Sequence, residues 1–304
     1  MLKQHARGLT ALGLYALVWG VAVATLAATK ADGFGDAIAV MGVIGIGFSA
    51  IGWLVTLGAR PPVVEVRRPA LELGAVLAFL AAYAVLFTGW GLSAFKAAAP
   101  AGQAHDILLL ALKLVVHVVL PAALIVTIGG KLRPLFTARA DTRGFWLSLV
   151  LLGAAILGVL SVISPALQQI SGLKASPVLT AAAIAGTFVW LALEAGLCEE
   201  FLFRAVLQTR LAAFLRSEMA AVFIGALVFA LVHAPGLWLR TDAGAAGHSA
   251  NLLTATAYAV AVLSPAGVFL GVMWMRTRSL LLVILLHAFI DVLPNTAEFY
   301  RTWF

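Results

Sequence analysis

Residues 178–208 read VLTAAAIAGTFVWLALEAGLCEEFLFRAVLQ, an apolar run that ends in Glu199, Glu200 and Arg204. Its first part, through Ala195, is close to the length that crosses the roughly 30 Å hydrocarbon core of a bilayer. A charge at membrane depth costs about 3 kcal/mol or more unless it is paired or used. Three charges within six residues therefore predict chemistry or transport at this place. The spacing also divides the labour. Glu200 and Arg204 are i,i+4 and can pair along one helix face. Glu199 is rotated by about 100° and points elsewhere.

The whole chain has the same character. Of its 304 residues 63% are hydrophobic and 11% charged, and the mean hydropathy is +1.06. Soluble domains carry about 25% charged residues. Apolar runs of membrane-spanning length recur. In lipid every backbone polar group must be satisfied internally, so they should be helices. The alternating pattern of an outer-membrane barrel is absent. The expected fold class is all-α, a polytopic transmembrane bundle of eight to nine spans.

Nine helices are predicted near 8–28, 36–58, 71–93, 107–129, 144–164, 178–211, 217–234, 251–275 and 279–294. Pro61-Pro62, Ala98 to Gly102, Pro165, Pro235-Gly236 and Pro294 mark the expected breaks. The first helix follows Lys3 and Arg7, and its apolar stretch exceeds a usual signal core. It is read as an uncleaved span, with a signal peptide as the alternative. Fourteen Lys and Arg residues fall at one set of alternating helix ends and five at the other. That bias places the N-terminus in the cytoplasm.

The net charge of +7 sits in short interhelix loops with no aromatic-interleaved basic patch, so nucleic acid is not an expected partner. The single cysteine, Cys198, excludes an internal disulfide and reads as a small buried hydrophobe. Gly42, Gly45, Gly47 and Gly52 lie mid-span, where close helix packing explains them better than a nucleotide loop. No internal repeat is visible, which weighs against a transporter built from inverted halves.

The chemistry-bearing residues converge on one depth. Glu199 and His233 each lie 17 residues from Arg216, about 25 Å along the two legs of a hairpin. An amphipathic tip over residues 208–216, projecting from the membrane, would bring His287 of the last helix to the same level. His287 and Asp291 are i,i+4 and face one side. This set suits water activation, with a desolvated glutamate as base. Histidines and a second carboxylate can hold a metal or stabilise an oxyanion. Lys113 and His117, also i,i+4, are expected to neutralise Glu194, to line the cavity or to serve a structural role. His248 and Asp242 read as solvated loop residues. No Gly-x-Ser-x-Gly elbow or His-Glu-x-x-His helix is present.

At these residues the chain resembles the CPBP family, the CAAX-protease and bacteriocin-processing (Abi) intramembrane proteases. Three motifs carry the resemblance: Glu199-Glu200-x-x-x-Arg204, Phe229-x-x-x-His233 and His287-x-x-x-Asp291. It covers roughly residues 142–304, taken as the protease core. Residues 1–141 form N-terminal helices of unassigned role. The resemblance implies that Glu199 activates water with His233 nearby. It implies that His287 and Asp291 bind and polarise the scissile carbonyl, that Glu200 and Arg204 support the site and that Phe229 packs. In one branch of the family the last motif position is asparagine. Asp291 is then an oxyanion donor only if protonated, and otherwise orients His287 or binds a metal.

The expected function is hydrolysis of a peptide bond near the membrane-associated C-terminal part of a peptide or protein precursor. The mechanism is either glutamic-type or dependent on a divalent metal such as zinc, held by Glu199, His233, His287 and Asp291. The expected partners are a membrane-anchored substrate and the lipid bilayer, in a bacterial plasma (inner) membrane. The alternatives are a proton- or ion-coupled transporter and a non-catalytic immunity or scaffold protein on the same fold.

Overall fold

The computed structural model describes residues 2–31, 33–132, 135, 142–239 and 246–304. Asp242 and the loop basic residues Arg133, Arg139 and Arg240 lie outside the described residues, as do the side chains of Lys3 and Arg143. Among the described residues the protein is helical and without strands. Nine helices among these residues are long and apolar enough to cross a membrane. They are α1 (Gln4–Ala28), α2 (Phe34–Val55), α3 (Pro69–Ala98), α4 (Gln103–Thr127), α5 (Gly144–Ile163), α6 (Pro177–Leu215), α7 (Glu218–Trp238), α8 (Leu252–Thr277) and α9 (Leu280–Trp303). The chain is an integral membrane protein.

The centre of the bundle is α8, the most buried span, flanked by α7 and α9. The other helices surround it and turn apolar side chains outward, as lipid contact permits. Helix α2 meets α8 through two of its glycines. A Cβ on Gly52 would lie 2.4 Å from Met273 Sδ, and one on Gly45 would lie 3.1 Å from Pro265 Cβ. Small residues allow that approach. Gly42, expected to pack in the same way, faces open space.

One proline does not end its helix. Pro294 lies inside α9, which runs to Trp303 rather than stopping at 294. The proline removes the donor for the Ile290 carbonyl, and in the same turn Asn295 Nδ2 donates to the Asp291 carbonyl at 2.8 Å. Near Pro235 the expected break is present: the helix from Glu218 ends at Leu231, His233 N–H turns back to the Ala230 carbonyl at 3.1 Å, and a short helix follows over Ala234–Trp238. Thr88 Oγ1 of α3 donates to the Val232 carbonyl at 2.9 Å and so caps the disturbed turn. Beyond it, His248 is not simply solvated, since its Nδ1 meets the Leu237 carbonyl at 3.0 Å. A short helix, Ala166–Gly172, follows Pro165.

At the tip of the α6–α7 hairpin, residues Gln208–Ala212 are buried against the bundle, while Phe214 and Arg216 are exposed. Arg210 lies against Glu72 at the start of α3, with Nε 3.2 Å from Oε2, and both side chains are buried. The guanidinium also caps the Ala205 carbonyl at 3.1 Å. This pair ties the N-terminal helices to the hairpin. Removing one partner strands a buried charge, so Glu72→Ala is expected to cost about 3–5 kcal/mol. The double change Glu72→Leu with Arg210→Met should recover most of it. Thermal unfolding of the purified protein in detergent checks both.

Candidate active site

Each of the three motifs is an i,i+4 pair, and in each the two residues touch. Arg204 Nη1 donates to Glu200 Oε1 at 2.9 Å on α6. His233 Nδ1 lies 2.6 Å from the Phe229 carbonyl on α7. His287 Nε2 lies 3.3 Å from Asp291 Oδ2 on α9. One helical turn per motif orients one polar group, which is why the intervening residues are free to be apolar.

Helix α6 is wound unevenly here. Wide, π-helical turns at Ala192–Leu197 and Phe201–Gln208 flank the short α-helical segment Cys198–Glu200. Such turns re-aim side chains and recur at functional sites. Helix α9 approaches this stretch closely. A Cβ on Gly196 would lie 2.7 Å from the Ile284 carbonyl oxygen. With no side chain to hold α9 away, His287 reaches α6.

The contacts across helices follow from that approach. His287 Nδ1 is 2.7 Å from Glu200 Oε1, the same oxygen that Arg204 uses. Glu200 is fully buried and Arg204 nearly so. The expected Glu200–Arg204 lock therefore has a third member, which was not foreseen. Glu199 faces the other way, between the two histidines. Its Oε1 lies 3.9 Å from His233 Nε2 and its Oε2 lies 3.9 Å from His287 Nε2. Phe229 carries more than packing. The Arg204 guanidinium stacks 4.7 Å over its ring, and the His233 ring meets its edge at 4.8 Å.

The N-terminal helices supply the opposite wall. The turn Val115–Val119 of α4 packs against Cys198–Glu200. Lys113 Nζ is 2.6 Å from Glu194 Oε1, the neutralising role weighed from the sequence. His117 is buried, with Nδ1 2.9 Å from the Lys113 carbonyl and Nε2 2.9 Å from the Tyr83 hydroxyl. Tyr83 and Thr88 were missed, because a lone hydroxyl in an apolar span gives no spacing signal. Cys198 is buried, and no described cysteine partner exists. A cavity of about 150 Å³ between α4, α6 and α9 reaches Glu194 and is lined also by Asp106, Thr187, Asn295 and Glu298.

Among the described residues no group of three or more His, Cys, Asp or Glu side chains is gathered so that it would hold an ion. His287 has a carboxylate oxygen 2.7 Å from Nδ1 and another 3.3 Å from Nε2. As placed, these side chains do not fit a resident metal.

An integral membrane bundle with an acid–histidine cluster enclosed between its helices belongs to the class of membrane proteins organised around internal polar chemistry. Residues 181–293 match the family model described as Rce1-like, type II CAAX prenyl endopeptidase, and all three motifs, from Glu199 to Asp291, fall inside the match. No curated protein and no solved structure matches the chain.

Gly196 sets the α6–α9 distance, so a side chain there must push α9 away and part His287 from Glu200. Gly196→Val is expected to cost about 1–3 kcal/mol in stability and to lower proteolysis by at least about tenfold, because displacements near 1 Å are costly to catalysis. Unfolding curves and cleavage of a membrane-anchored peptide check the two effects.

Proposed function

We propose that the chain is an intramembrane endopeptidase of the glutamic type, cleaving a peptide or protein precursor near its membrane-associated C-terminal part. The observation that carries this reading is the position of Glu199 between two histidine Nε2 atoms, each 3.9 Å away. That gap is too long for a hydrogen bond. It suits one water at about 2.8 Å from each polar atom.

The hydrogen bonds around the rings support a division of roles. His233 Nδ1 faces a carbonyl, which only accepts, so Nδ1 carries hydrogen and a neutral ring offers Nε2 as an acceptor. A water in the gap then donates one hydrogen to Glu199 and the other to His233, which aims its lone pair. Glu199 takes a proton as the water oxygen attacks the scissile carbonyl carbon. The oxyanion forms beside His287. Both nitrogens of that ring face carboxylate oxygens, and both partners are met when both nitrogens carry hydrogen. Its positive charge stabilises the oxyanion. Collapse of the intermediate breaks the C–N bond, and Glu199 returns its proton to the leaving nitrogen. Asp291 serves as the orienter of His287, and Glu200 with Arg204 fixes the ring from the other side.

Residues 142–304 form the catalytic core in this reading. Residues 1–141 add the wall that carries Tyr83, Lys113 and His117. The N-terminus is cytoplasmic and the membrane is a bacterial plasma membrane. The buried Arg204 and Arg210 drop out of the loop-charge bias, which remains 12 to 5 without them. The cavity at Glu194 opens toward the opposite ends of α4 and α9 and suits delivery of water.

The test is cleavage of a membrane-anchored precursor by the purified protein. Glu199→Gln should lower kcat by about 10²–10⁴ while expression and melting temperature stay unchanged. An unaltered rate would remove Glu199 as base. Asp291→Asn keeps an acceptor for His287 and should cost less than Asp291→Ala. Dialysis against a chelator should leave the rate unchanged, and a loss restored by zinc would overturn the glutamic assignment.

A further inference from the structure

Away from this site, a groove of about 650 Å³ runs between the starts of α1 and α7 beside the α6–α7 turn. Two arginines line it, Arg7 from α1 and Arg216 from the turn. Arg7 Nη1 donates to the Leu215 carbonyl at 2.9 Å, which fixes the guanidinium at the groove's end. One of its five N–H donors is used there. Arg216 is exposed, and its side chain has no partner among the described residues. No acidic side chain lines the groove. The nearby Glu218 is already bound to Arg278. Two like charges thus share one concavity with nothing to neutralise them.

Below the arginines the walls become apolar. On α1 the residues are Ala11 and Leu14, four and seven places after Arg7 and so on its face. On α7 they are Ala220 and Ile224, one helical turn apart. Both helices run inward from the same face of the bundle, with Arg7 near the start of α1, Arg216 in the turn before α7, and hydrocarbon along both spans. That is the shape and polarity of a phospholipid, with the head at the interface and an acyl chain along the groove. A zwitterionic head brings a cation of its own beside the two guanidiniums, whereas an anionic one brings only the phosphate charge they can meet.

We propose that this groove is a binding site for an anionic phospholipid, its phosphate held by Arg7 and Arg216 and an acyl chain lying on Ala11, Leu14, Ala220 and Ile224. Guanidinium suits this role because its planar donors address phosphate oxygens in pairs.

The test is native mass spectrometry of the full-length protein in detergent, with equal amounts of phosphatidylglycerol and phosphatidylcholine of identical acyl chains. The wild type should retain phosphatidylglycerol over phosphatidylcholine by at least about tenfold. Arg7→Gln with Arg216→Gln should bring that ratio close to one without changing the melting temperature in detergent. Arg60→Gln with Arg67→Gln, in a loop elsewhere, should leave it intact. A double variant that keeps the preference, or a wild type that shows none, overturns the proposal. Displacement of the lipid by glycerol 3-phosphate alone would also overturn it, because the acyl chain would then contribute nothing.

Discussion

The Oε1 atom of Glu200 accepts from two helices at once, from Arg204 on α6 and from His287 on α9. A fully buried carboxylate without partners would be too costly to keep. With them it becomes the joint on which the polar interior turns. The joint extends in one physical chain. Arg204 stacks on the Phe229 ring, and the Phe229 carbonyl holds His233. His287 and His233, on different helices, are thereby referenced to the same acid. The arrangement is not fully satisfied. Glu200 Oε2 and Arg204 Nη2 have no partner among the described residues. The carboxylate does not grip arginine with both oxygens, and Oε1 alone serves both partners.

The opening acid pair was legible because adjacency on a helix forces divergence. Two consecutive acids point about 100° apart, so only one of them can share a face with Arg204. The structure gives Glu200 that face and leaves Glu199 to the two histidines. The equal depth of Glu199 and His233 was legible for a similar reason, since a hairpin with equal legs brings equal positions together. His287 needed more than leg lengths. The structure buries Gln208–Ala212, pairs Arg210 with Glu72, and brings α9 to α6 at Gly196. A single glycine among 28 carries no sign of which helix it will touch.

The helix ends show where local rules give way to lipid and packing. Proline was read as punctuation at 235 and 294, and the first reading holds while the second does not. Inside a bundle, a helix that stops must satisfy its free carbonyls without water. Before Pro235 it does so through Thr88, which donates to the Val232 carbonyl, whereas at Pro294 the helix continues and Asn295 donates to the Asp291 carbonyl. Both hydrogen bonds lie next to the site, one residue from His233 and at Asp291 itself.

The N-terminal helices hold polar residues that no spacing rule isolates. Tyr83 and Thr88 stand alone on α3, and their partners come from α4 and α7. Only Lys113 and His117 carried a signal, as an i,i+4 pair. Their roles follow from charge. Glu194, Glu199, Glu200 and Asp291 place four carboxylates within one region of α6 and α9, with Arg204 and Lys113 as its permanent cations among these helices. In a low-dielectric interior that excess makes Lys113 more than an incidental neighbour. A matched domain that starts at residue 181 therefore does not hold the whole electrostatic balance of its own site. One of the two cations comes from α4, a helix outside the match. The proposed division at residue 142 separates motif-bearing helices from helices without motifs, but the charges of the site bind the two parts together.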